Sequence, residues 1–138
     1  MELTALYQVF QECQSVTTDS RNCPDGSLFI ALKGESFNGN AFAEKALKSG
    51  CAYAIVDEAG YAVEGDRRYI LVDDCLQTMQ QLANYHRRQL GTQIIGITGT
   101  NGKTTTKELI SSVLCKAHNV LYTLGNLNNH IGVPATLL

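Results

Sequence analysis

The sequence has little of several features that mark particular classes of protein. It lacks tryptophan, has two prolines among 138 residues, and is 17% charged. Eleven Lys and Arg stand against thirteen Asp and Glu, so a basic face for nucleic acid is not indicated. No apolar run is long enough to cross a bilayer, and Met1, Glu2 and Leu3 lack the basic-then-apolar order of a secretory signal. These absences argue against nucleic-acid binders, membrane proteins and secreted proteins.

The five cysteines are scattered and odd in number, and no two form a Cys-x-x-Cys pair. This pattern argues against a disulfide scaffold and a zinc module, and it is typical of reduced thiols in a cytoplasmic protein. Apolar residues make up 44% of the chain, so most of these thiols are expected to pack as small core side chains. The expected protein is thus cytoplasmic and folded around an apolar core.

Helical and strand patterns alternate along residues 1–90 and predict an α/β fold. Continuous apolar runs of strand length indicate buried parallel strands, and apolar residues spaced three and four apart indicate helices. Strands are predicted at residues 27–32, 52–56 and 69–72, and the short polar segment 15–21 is a candidate edge strand that leads into a loop. Helices are predicted at residues 3–13, 40–48 and 74–90, with Asn40 and Asp74 as N-caps. We expect residues 1–90 to form one complete small α/β domain.

Residues 91–138 have a second α/β pattern. A predicted strand at 93–98 leads into a glycine-rich turn, a helix at 103–117 and a strand at 119–123, which the right-handed crossover rule makes a parallel pair. Pro134 is expected in the first turn of another helix. The buried stripe of the predicted helix contains Leu109, Ile110, Val113, Leu114 and Ala117, with Cys115 at its edge. One strand pair and one helix do not cover both faces of a parallel sheet, so we expect the opening β-P-loop-α-β unit of a truncated parallel-sheet ATPase domain.

The most informative residues are the glycine-rich turn GITGTNGKTT at positions 96–105. Gly99 and Gly102 let main-chain amides turn toward a phosphate, and the following helix adds unpaired N–H donors and the positive end of its dipole. Lys103 supplies a positive charge for the outer phosphates, and the hydroxyl of Thr104 suits a magnesium ligand. The alternative is a glycine-rich turn with an incidental lysine. We favour nucleotide-triphosphate binding, because all three residue types fall where the chemistry requires them.

The spacing of this turn is shorter than the usual G-x-x-x-x-G-K-[ST] pattern, and it resembles the ATP loop of the Mur ligases and their folylpolyglutamate synthase relatives. TDSR at residues 18–21, GSLFIALKG at 26–34 and FNG at 37–39 look like the N-terminal domain that binds the uridine nucleotide in the later Mur ligases. LYTLGNLNNHIGVP at residues 121–134 is most similar to the member of the family that adds D-Ala-D-Ala to the peptidoglycan precursor.

The resemblance implies an ATP-dependent amide ligase of peptidoglycan precursor synthesis. In that reaction the γ-phosphoryl group of ATP passes to the terminal carboxylate of UDP-MurNAc-tripeptide, and the amine of D-Ala-D-Ala then displaces phosphate. ATP and Mg²⁺ are the implied cofactors, Lys103 and Thr104 are the implied catalytic residues, and Thr104 is the implied magnesium ligand. The implied ATP-binding residues are Gly99, Thr100, Asn101, Gly102, Lys103, Thr104 and Thr105.

The resemblance also implies two domains, a UDP-MurNAc-peptide-binding domain at 1–90 and an incomplete central ATP-binding domain at 91–138. The partner of the second domain is then the remainder of its own chain. We expect the 138 residues to be inactive on their own.

A site for the UDP-sugar is implied at Thr18, Ser20, Arg21, Glu35, Ser36 and Phe37. Ser20 suits a ribose or phosphate oxygen, and Arg21 suits the pyrophosphate. The alternative is that residues 19–21 form a capped turn with a local ion pair. Asn38 stands where the family often has Asp, which removes a charge but keeps a turn-forming side chain. The possible substrate-loop residues are Asn126, Asn128 and Asn129, for which ordinary turn chemistry is the alternative.

Three other functions stay open from the sequence. The chain can belong to another, amino-acid-adding Mur ligase, to a small P-loop kinase or NTPase, or to a non-catalytic uridine-nucleotide-binding module. A kinase needs a strand-end acid after its phosphate loop, but Asp57, Asp73 and Asp74 all precede the loop. Titration separates the classes, because the kinase prefers ATP alone, the module prefers UDP alone, and the ligase fragment can bind both.

Overall fold

A computed structural model describes residues 2–138 and has the α/β class that the sequence predicts. Strands β1 to β4 are Val16–Thr17, Leu28–Ile30, Tyr53–Val56 and Tyr69–Leu71. Helices α1 to α5 are Leu3–Glu12, Ala43–Lys48, Cys75–Leu90, Lys103–Leu114 and Gly132–Leu137. Two short 3-10 turns are Gly39–Phe42 and Ala59–Tyr61. In the described part of the chain no helix combines the length and the apolar character needed to span a membrane.

The four strands form one sheet in the order β1-β2-β3-β4, and every neighbouring pair is parallel. In the register of the sheet, Leu28 pairs with both Val16 and Tyr53, and Ala54 pairs with Tyr69. The carboxyl ends of parallel strands lie at one edge of a sheet, which is where open α/β sheets bind their ligands. The loops that follow all four strands therefore leave from one edge, which we call the carboxyl edge.

The apolar core lies around β2 and β3. All three residues of β2 are at most 1% exposed, so both faces of this strand are covered, as its continuous apolar run predicts. The helices add side chains to the same core: Leu6 and Phe10 from α1, Ala46 and Leu47 from α2, and Met79 and Leu82 from α3. Burial of each large side chain contributes about 1.5–3 kcal/mol. The sheet and its three helices are thus the stable body that positions the carboxyl edge.

Helix α3 begins and ends where the sequence predicts. The Asp74 carboxylate accepts a hydrogen bond from the Gln77 amide at 2.7 Å, which caps the first turn. Gly91 ends the helix with a φ of +62°, a left-handed conformation that glycine adopts without strain. The Nδ1 atom of His86 lies 3.1 Å from the Tyr7 hydroxyl oxygen, so this histidine is a packed side chain that joins α3 to α1.

The helix predicted to begin at Asn40 differs in its first turn. Residues Gly39–Phe42 form a 3-10 turn, and α2 begins only at Ala43. Asn40 is therefore not the N-cap of this helix. Its amide donates to the Asn38 side chain, and its own side chain is buried in other contacts at 1% exposure. The sequence pattern predicts the helix correctly but assigns Asn40 the wrong role.

The structure corrects the prediction of a parallel strand pair in residues 91–138. Among the described residues neither segment 93–98 nor segment 119–123 forms a strand. Both segments instead line a cavity of about 460 Å³ beside α4. An isolated pair of strands is marginally stable in water, and no other part of residues 2–138 adds a third strand beside these two.

The apolar stripe predicted on the helix that follows the phosphate loop is also corrected. Leu109 and Val113 are 63% and 71% exposed, Ile110 and Leu114 are half-buried, and Ala117 and Cys115 are exposed beyond the end of α4. The residues have helical spacing, but spacing alone buries a stripe only where another element packs on it. Within residues 2–138 other elements therefore cover only part of the apolar stripe on α4.

Helix α5 joins residues 91–138 to the sheet. It packs along α3, and Ile131 and Leu138 contact the apolar core. The Gln80 side chain donates to the His130 carbonyl at 3.0 Å. The prediction of a helix around Pro134 is confirmed, with its first residue at Gly132.

Candidate functional site

The phosphate-loop motif lies at the start of α4. Gly99 has a φ of +151° and Gly102 has a φ of +75°, and these conformations favour glycine over any residue with a side chain. Gly102 is the N-cap residue of α4, so the loop ends where a 12-residue helix presents its first unpaired amides. Main-chain N–H groups and the helix dipole at this point favour a bound phosphate.

Lys103 is the first residue of α4, and its side chain folds back over the loop. Its Nζ atom donates to the Gly99 carbonyl at 2.5 Å, which places the positive charge across the turn. Thr104 and Thr105 follow and are exposed on the first helical turn. The structure thus brings the predicted ATP-binding residues, 99–105, together in one loop and helix start.

Thr104 offers one oxygen ligand for a magnesium ion. Its side chain is exposed, and a hydroxyl oxygen is a ligand type that Mg²⁺ accepts. Among the described residues no three His, Cys, Asp or Glu side chains come together as a metal site. The residues present fit an ion that is held by one protein hydroxyl together with phosphate oxygens and water, as Mg²⁺ commonly is in nucleotide sites.

Lys107, one turn after Lys103 on the same face of α4, is a residue that sequence reasoning missed. Its Nζ atom donates to the carbonyls of Thr123 at 2.5 Å and Gly125 at 2.8 Å. The side chain is 13% exposed and lies 5.9 Å from the centre of the Tyr122 ring. Lys107 therefore holds the loop of residues 123–125 against the helix of the phosphate loop. The spacing of four between the two lysines is the one signal that points to it.

The three asparagines of the possible substrate loop differ in what they contact. The Asn129 side chain accepts hydrogen bonds from the Ile131 amide at 3.1 Å and the Gly132 amide at 2.7 Å, so it forms an Asx-type turn that leads into α5. Asn126 and Asn128 are exposed, and their main chains form a tight turn with an N–H···O distance of 2.7 Å. Turn chemistry thus accounts for Asn129, while the side chains of the other two face solvent.

The predicted UDP-sugar residues lie at the carboxyl edge of the sheet. Thr18, Ser20 and Arg21 follow β1 directly, and residues 35–37 follow β2, its parallel neighbour. Phe37 is 56% exposed. The topology therefore brings both groups of predicted residues to the same end of adjacent strands, although they are separated in the sequence.

Arg21 forms the local ion pair that the sequence left open as an alternative. Its Nε and Nη2 atoms donate to the two oxygens of Asp19 at 2.9 and 2.8 Å, and its amide also donates to this carboxylate. Hydrogen bonds from the Arg21 side chain and amide lower the pKa of Asp19 to about 2. The Arg21 side chain is 82% exposed, so the pair leaves the guanidinium within reach of a ligand.

Residues 33–38 form a short hairpin, which we call the β2 hairpin. Lys33 and Asn38 face each other as an antiparallel bridge at its base, and the Gly34 amide donates to the Phe37 carbonyl at 3.0 Å. Glu35, Ser36 and Phe37 form the tip, and all three are exposed. The predicted ligand-binding residues of this loop therefore depend on the base of the hairpin for their position.

Lys33 lies between two carboxylates that follow β3. Its Nζ atom is 2.9 Å from Asp57 Oδ1 and 2.8 Å from Glu58 Oε1. Hydrogen bonds to Glu58 and Asp57 raise the pKa of Lys33 above its usual range, and the Lys33 ammonium lowers the pKa of Glu58. Sequence reasoning missed these pairs, because only the pairing of β2 with β3 brings the residues together.

Asn40 completes this set of polar contacts from inside the fold. Its side-chain nitrogen donates to Asn38 Oδ1 and Asp57 Oδ1, both at 2.8 Å, and its side-chain oxygen accepts from the Asp57 amide at 3.0 Å. The second oxygen of Asp57 accepts from the Cys75 amide at the start of α3. We call the whole set the edge cluster: Lys33, Asn38, Asn40, Asp57 and Glu58.

Two family matches cover most of the chain. Residues 12–87 match "Mur ligase family, catalytic domain", and residues 97–138 match "Mur ligase middle domain". The first match contains the four-stranded sheet, and the second contains most of the phosphate loop and α4. Each match falls on one of the two parts that the sequence distinguishes.

Known proteins with similar sequences and structures agree with these matches. The UDP-N-acetylmuramoyl-tripeptide–D-alanyl-D-alanine ligase of Bacillus subtilis is 47% identical over 123 residues, which are 89% of this chain and 27% of that protein. MurF from Acinetobacter baumannii superposes with a TM-score of 0.82 at 35% identity, over 98% of this chain and 32% of that one. MurF ligase from Thermotoga maritima, solved in complex with ADP, has a TM-score of 0.78 at 32% identity, over 89% of this chain and 28% of that one.

The chain therefore spans about a third or less of the length of the relatives that it matches. The similarity extends over both the sheet and the phosphate loop, and it confirms the resemblance that the motifs indicate. This chain belongs to the Mur ligase family.

Proposed function

We propose that this chain is part of an ATP-dependent ligase that joins D-Ala-D-Ala to UDP-MurNAc-tripeptide in peptidoglycan precursor synthesis. Residues 1–90 form its UDP-MurNAc-peptide-binding domain, and residues 91–138 form the start of its central ATP-binding domain. The observation that carries the proposal is the loop of residues 99–105, in which the Lys103 ammonium lies across a glycine turn at the start of α4. The similar Bacillus subtilis protein is a UDP-N-acetylmuramoyl-tripeptide–D-alanyl-D-alanine ligase, which supports these two substrates for the proposed reaction.

The proposed reaction solves a chemical difficulty. A carboxylate is a poor electrophile at neutral pH, so its oxygen must first become part of a leaving group. The terminal carboxylate of UDP-MurNAc-tripeptide attacks the γ-phosphorus of ATP, which gives an acyl phosphate and ADP. The amine of D-Ala-D-Ala then attacks the acyl carbon, an amide bond forms, and inorganic phosphate leaves.

The residues at the start of α4 have defined roles in this proposal. Lys103 and the first amides of the helix stabilise the negative charge of the phosphoryl group in transfer, which is the dominant need in such reactions. Thr104 would hold a magnesium ion together with phosphate oxygens, and that ion would supply further neutralisation of the charge. Residues 99–102 hold the phosphate chain through their amides, and Thr105 lies beside it on the first turn of the helix.

The carboxyl edge of the sheet binds the uridine nucleotide in this proposal. Thr18 and Ser20 donate hydrogen bonds to ribose or phosphate oxygens, and Arg21 pairs with the pyrophosphate from its exposed position. Residues 35–37, at the tip of the β2 hairpin, contact the same nucleotide from the neighbouring strand. Asn126 and Asn128, whose side chains face solvent, orient the peptide end of the substrate.

We place the protein in the cytoplasm. All five cysteines are free in the structure, as is usual in a reducing compartment, and the proposed reaction consumes ATP, which is a cytoplasmic nucleotide.

The strand-end acids Asp57, Asp73 and Asp74 lie in the loops that follow β3 and β4. Asp57 already pairs with Lys33. This arrangement supports a ligase over a self-contained kinase.

Calorimetric titration of the 138-residue chain tests the proposal. The chain is expected to bind both Mg-AMP-PNP and UDP-MurNAc-tripeptide, and Lys103→Ala is expected to weaken Mg-AMP-PNP binding by about tenfold or more, as the loss of one charge-assisted contact does. Lys116→Ala is the matched control, because Lys116 is exposed just beyond the same helix. Equal affinity of the Lys103 variant and the unsubstituted chain contradicts the proposal.

A second measurement concerns the complete reaction. Because the chain spans 27% of the Bacillus subtilis ligase, we expect it to release no ADP in response to D-Ala-D-Ala in a coupled assay. Turnover by the 138 residues contradicts the assignment of 91–138 as only the start of the ATP-binding domain.

A further inference from the structure

We propose that Glu58 is a positioning residue that holds the β2 hairpin in place for the UDP-linked substrate. It does so by joining Lys33 and Asn38, the two residues at the base of that hairpin. This inference rests on the proposed function, because it concerns the site assigned there to the uridine nucleotide.

The contacts of Glu58 span both arms of the hairpin. One carboxylate oxygen lies 2.8 Å from the Lys33 ammonium, and the two oxygens accept from the Asn38 side-chain nitrogen at 3.1 and 3.2 Å. Lys33 and Asn38 are bridged to each other through the main chain. A single side chain that follows β3 therefore clamps the start and the end of a loop that follows β2.

The tip of the hairpin has little else to hold it. Residues 33–37 are all exposed, and within the tip one amide hydrogen bond joins Gly34 to Phe37. An exposed loop loses conformational freedom when it binds a ligand, and a loop that is already ordered loses less. Asp57 and Asn40 also contact the base, through Lys33 and Asn38, and Glu58 is the side chain that contacts both base residues. Its contacts thus contribute to the ordering that is complete before the nucleotide arrives.

Experiment can separate the effect of substituting Glu58 from that of substituting its neighbour Asp57. The Asp57 side chain is 9% exposed and is tied to Asn40 and the start of α3, so its removal disturbs the core. The Glu58 side chain is 40% exposed and contacts the base of the hairpin. A Glu58 variant consequently loosens the hairpin without removing a core contact.

The experiment is a titration of the 138-residue chain with UDP-MurNAc-tripeptide. Glu58→Ala is expected to reduce the affinity by about three- to tenfold through the lost preorganisation, with an unchanged thermal midpoint. Glu58→Gln keeps an acceptor for Asn38 and is expected to recover part of the loss. Glu44→Ala is the matched control, since it removes an exposed ion pair with Lys48 on α2, and its affinity is expected to equal that of the unsubstituted chain.

A double-variant comparison shows whether Lys33 and Glu58 act through the same contact. Lys33→Met is expected to reduce the affinity at least as much as Glu58→Ala, because it removes the ion pair with Asp57 as well as the one with Glu58. The double variant is expected to lose no more than the larger of the two single losses, because residues that act as one unit are not additive. Additive losses contradict the clamp.

Amide hydrogen exchange provides a readout of the hairpin without any ligand. The Gly34 amide is expected to exchange several-fold faster in Glu58→Ala than in Glu44→Ala, while amides of β2 and β3 keep their rates. Unchanged exchange at Gly34, or unchanged affinity with faster exchange, overturns the inference. Absence of UDP-MurNAc-tripeptide binding by the unsubstituted chain contradicts the proposed function instead, and the exchange comparison then decides whether Glu58 holds the hairpin.

Discussion

Asp57 is the residue at which the edge cluster meets the core. Its two oxygens accept hydrogen bonds from the buried Asn40 side chain and the Cys75 amide, while one of them also pairs with Lys33. Removing one member of such a set leaves a buried polar atom without a partner, at a cost of about 1–3 kcal/mol. Asp57 therefore stabilises the carboxyl edge itself, whereas Glu58 acts on the exposed hairpin.

Asp57→Asn is expected to lower the stability of the chain at neutral pH and to flatten its pH dependence in acid. Burial raises the pKa of Asp57, but hydrogen bonds from Lys33, Asn40 and the Cys75 amide together hold it below its usual 3.8. Because the folded pKa lies below the unfolded one, this carboxylate stabilises the fold above pH 3.8, and the contribution is lost as the pH falls through the folded pKa.

Urea unfolding at neutral pH and at a series of acidic pH values measures both effects of Asp57→Asn. Glu64→Gln, a change at an exposed carboxylate, is the control and is expected to keep the unsubstituted profile. An acid profile of the Asp57 variant that is as steep as that of the unsubstituted chain shows that the hydrogen bonds at this residue do not govern its acid stability.

At the residue scale, the sequence predicts what is local and misses what is assembled by the sheet. The glycine turn at Gly99 and Gly102 and the helix start at Lys103 could be predicted because they are contiguous, so one string contains the whole arrangement; their role toward ATP stays a prediction. The contacts of Lys33 with Glu58 could not, because they depend on the strand pairing. Arg21 lies between these two cases. Its ion pair with Asp19 is local, so the sequence offers it as an alternative, whereas its role toward a nucleotide stays a prediction.

At the scale of elements, the β2 hairpin shows how a main-chain contact fixes a loop. The Gly39 amide donates to the Leu32 carbonyl at 3.0 Å, where the hairpin returns to the sheet. A Cβ atom at position 39 would lie 2.3 Å from the Leu32 oxygen and 2.8 Å from the Ala31 carbonyl carbon. Both neighbours are main-chain atoms, so they have little freedom to move away.

Gly39→Ala is therefore expected to destabilise the chain by about 1–3 kcal/mol, the usual cost of forcing extra atoms into a packed site. Gly60→Ala is the matched control, because a Cβ atom there meets nothing within 4 Å, and its effect is expected to stay within about 0.5 kcal/mol. The urea concentration at the midpoint of unfolding measures both changes, provided that the dependence of the unfolding free energy on urea concentration stays the same. A Gly39 variant as stable as the Gly60 variant contradicts the tight packing at the hairpin base.

Elements could be predicted where their own residues decide them. The apolar runs of β2 and β3 are buried as their sequences predict, and α3 has both of its end signals. The run of β4 also forms a strand, but only Ile70 of it is in the core and Leu71 is 49% exposed. Segments 93–98 and 119–123 have equally apolar sequences but form no ladder in the described chain. A strand exists only through its neighbours, and a sequence pattern does not show whether those neighbours are present.

At the scale of the whole molecule, apolar surface is distributed unevenly. The side chains at 28–30 and 54–56 are at most 1% exposed, whereas Ile95, Val113 and Leu121 are 61%, 71% and 73% exposed. Local stability follows burial and hydrogen bonding, so regions of one chain open with very different free energies. The sheet with α1 to α3 is the stable part, and residues 92–130 are anchored to it mainly through the α5 that follows them.

This difference predicts the pattern of amide hydrogen exchange along the chain. Amides of β2, β3 and α3 are expected to exchange slowly, because they are hydrogen-bonded in a ladder or helix and covered by the core. Amides of segments 93–98 and 119–123 are expected to exchange at least about tenfold faster, since they have no ladder partners. Residue-resolved exchange measured by NMR, corrected for the intrinsic rate of each residue, separates the two groups. Protection of segment 93–98 equal to that of β3 would show that this segment pairs as a strand in solution, and that the parallel pair indicated by its sequence forms within these 138 residues.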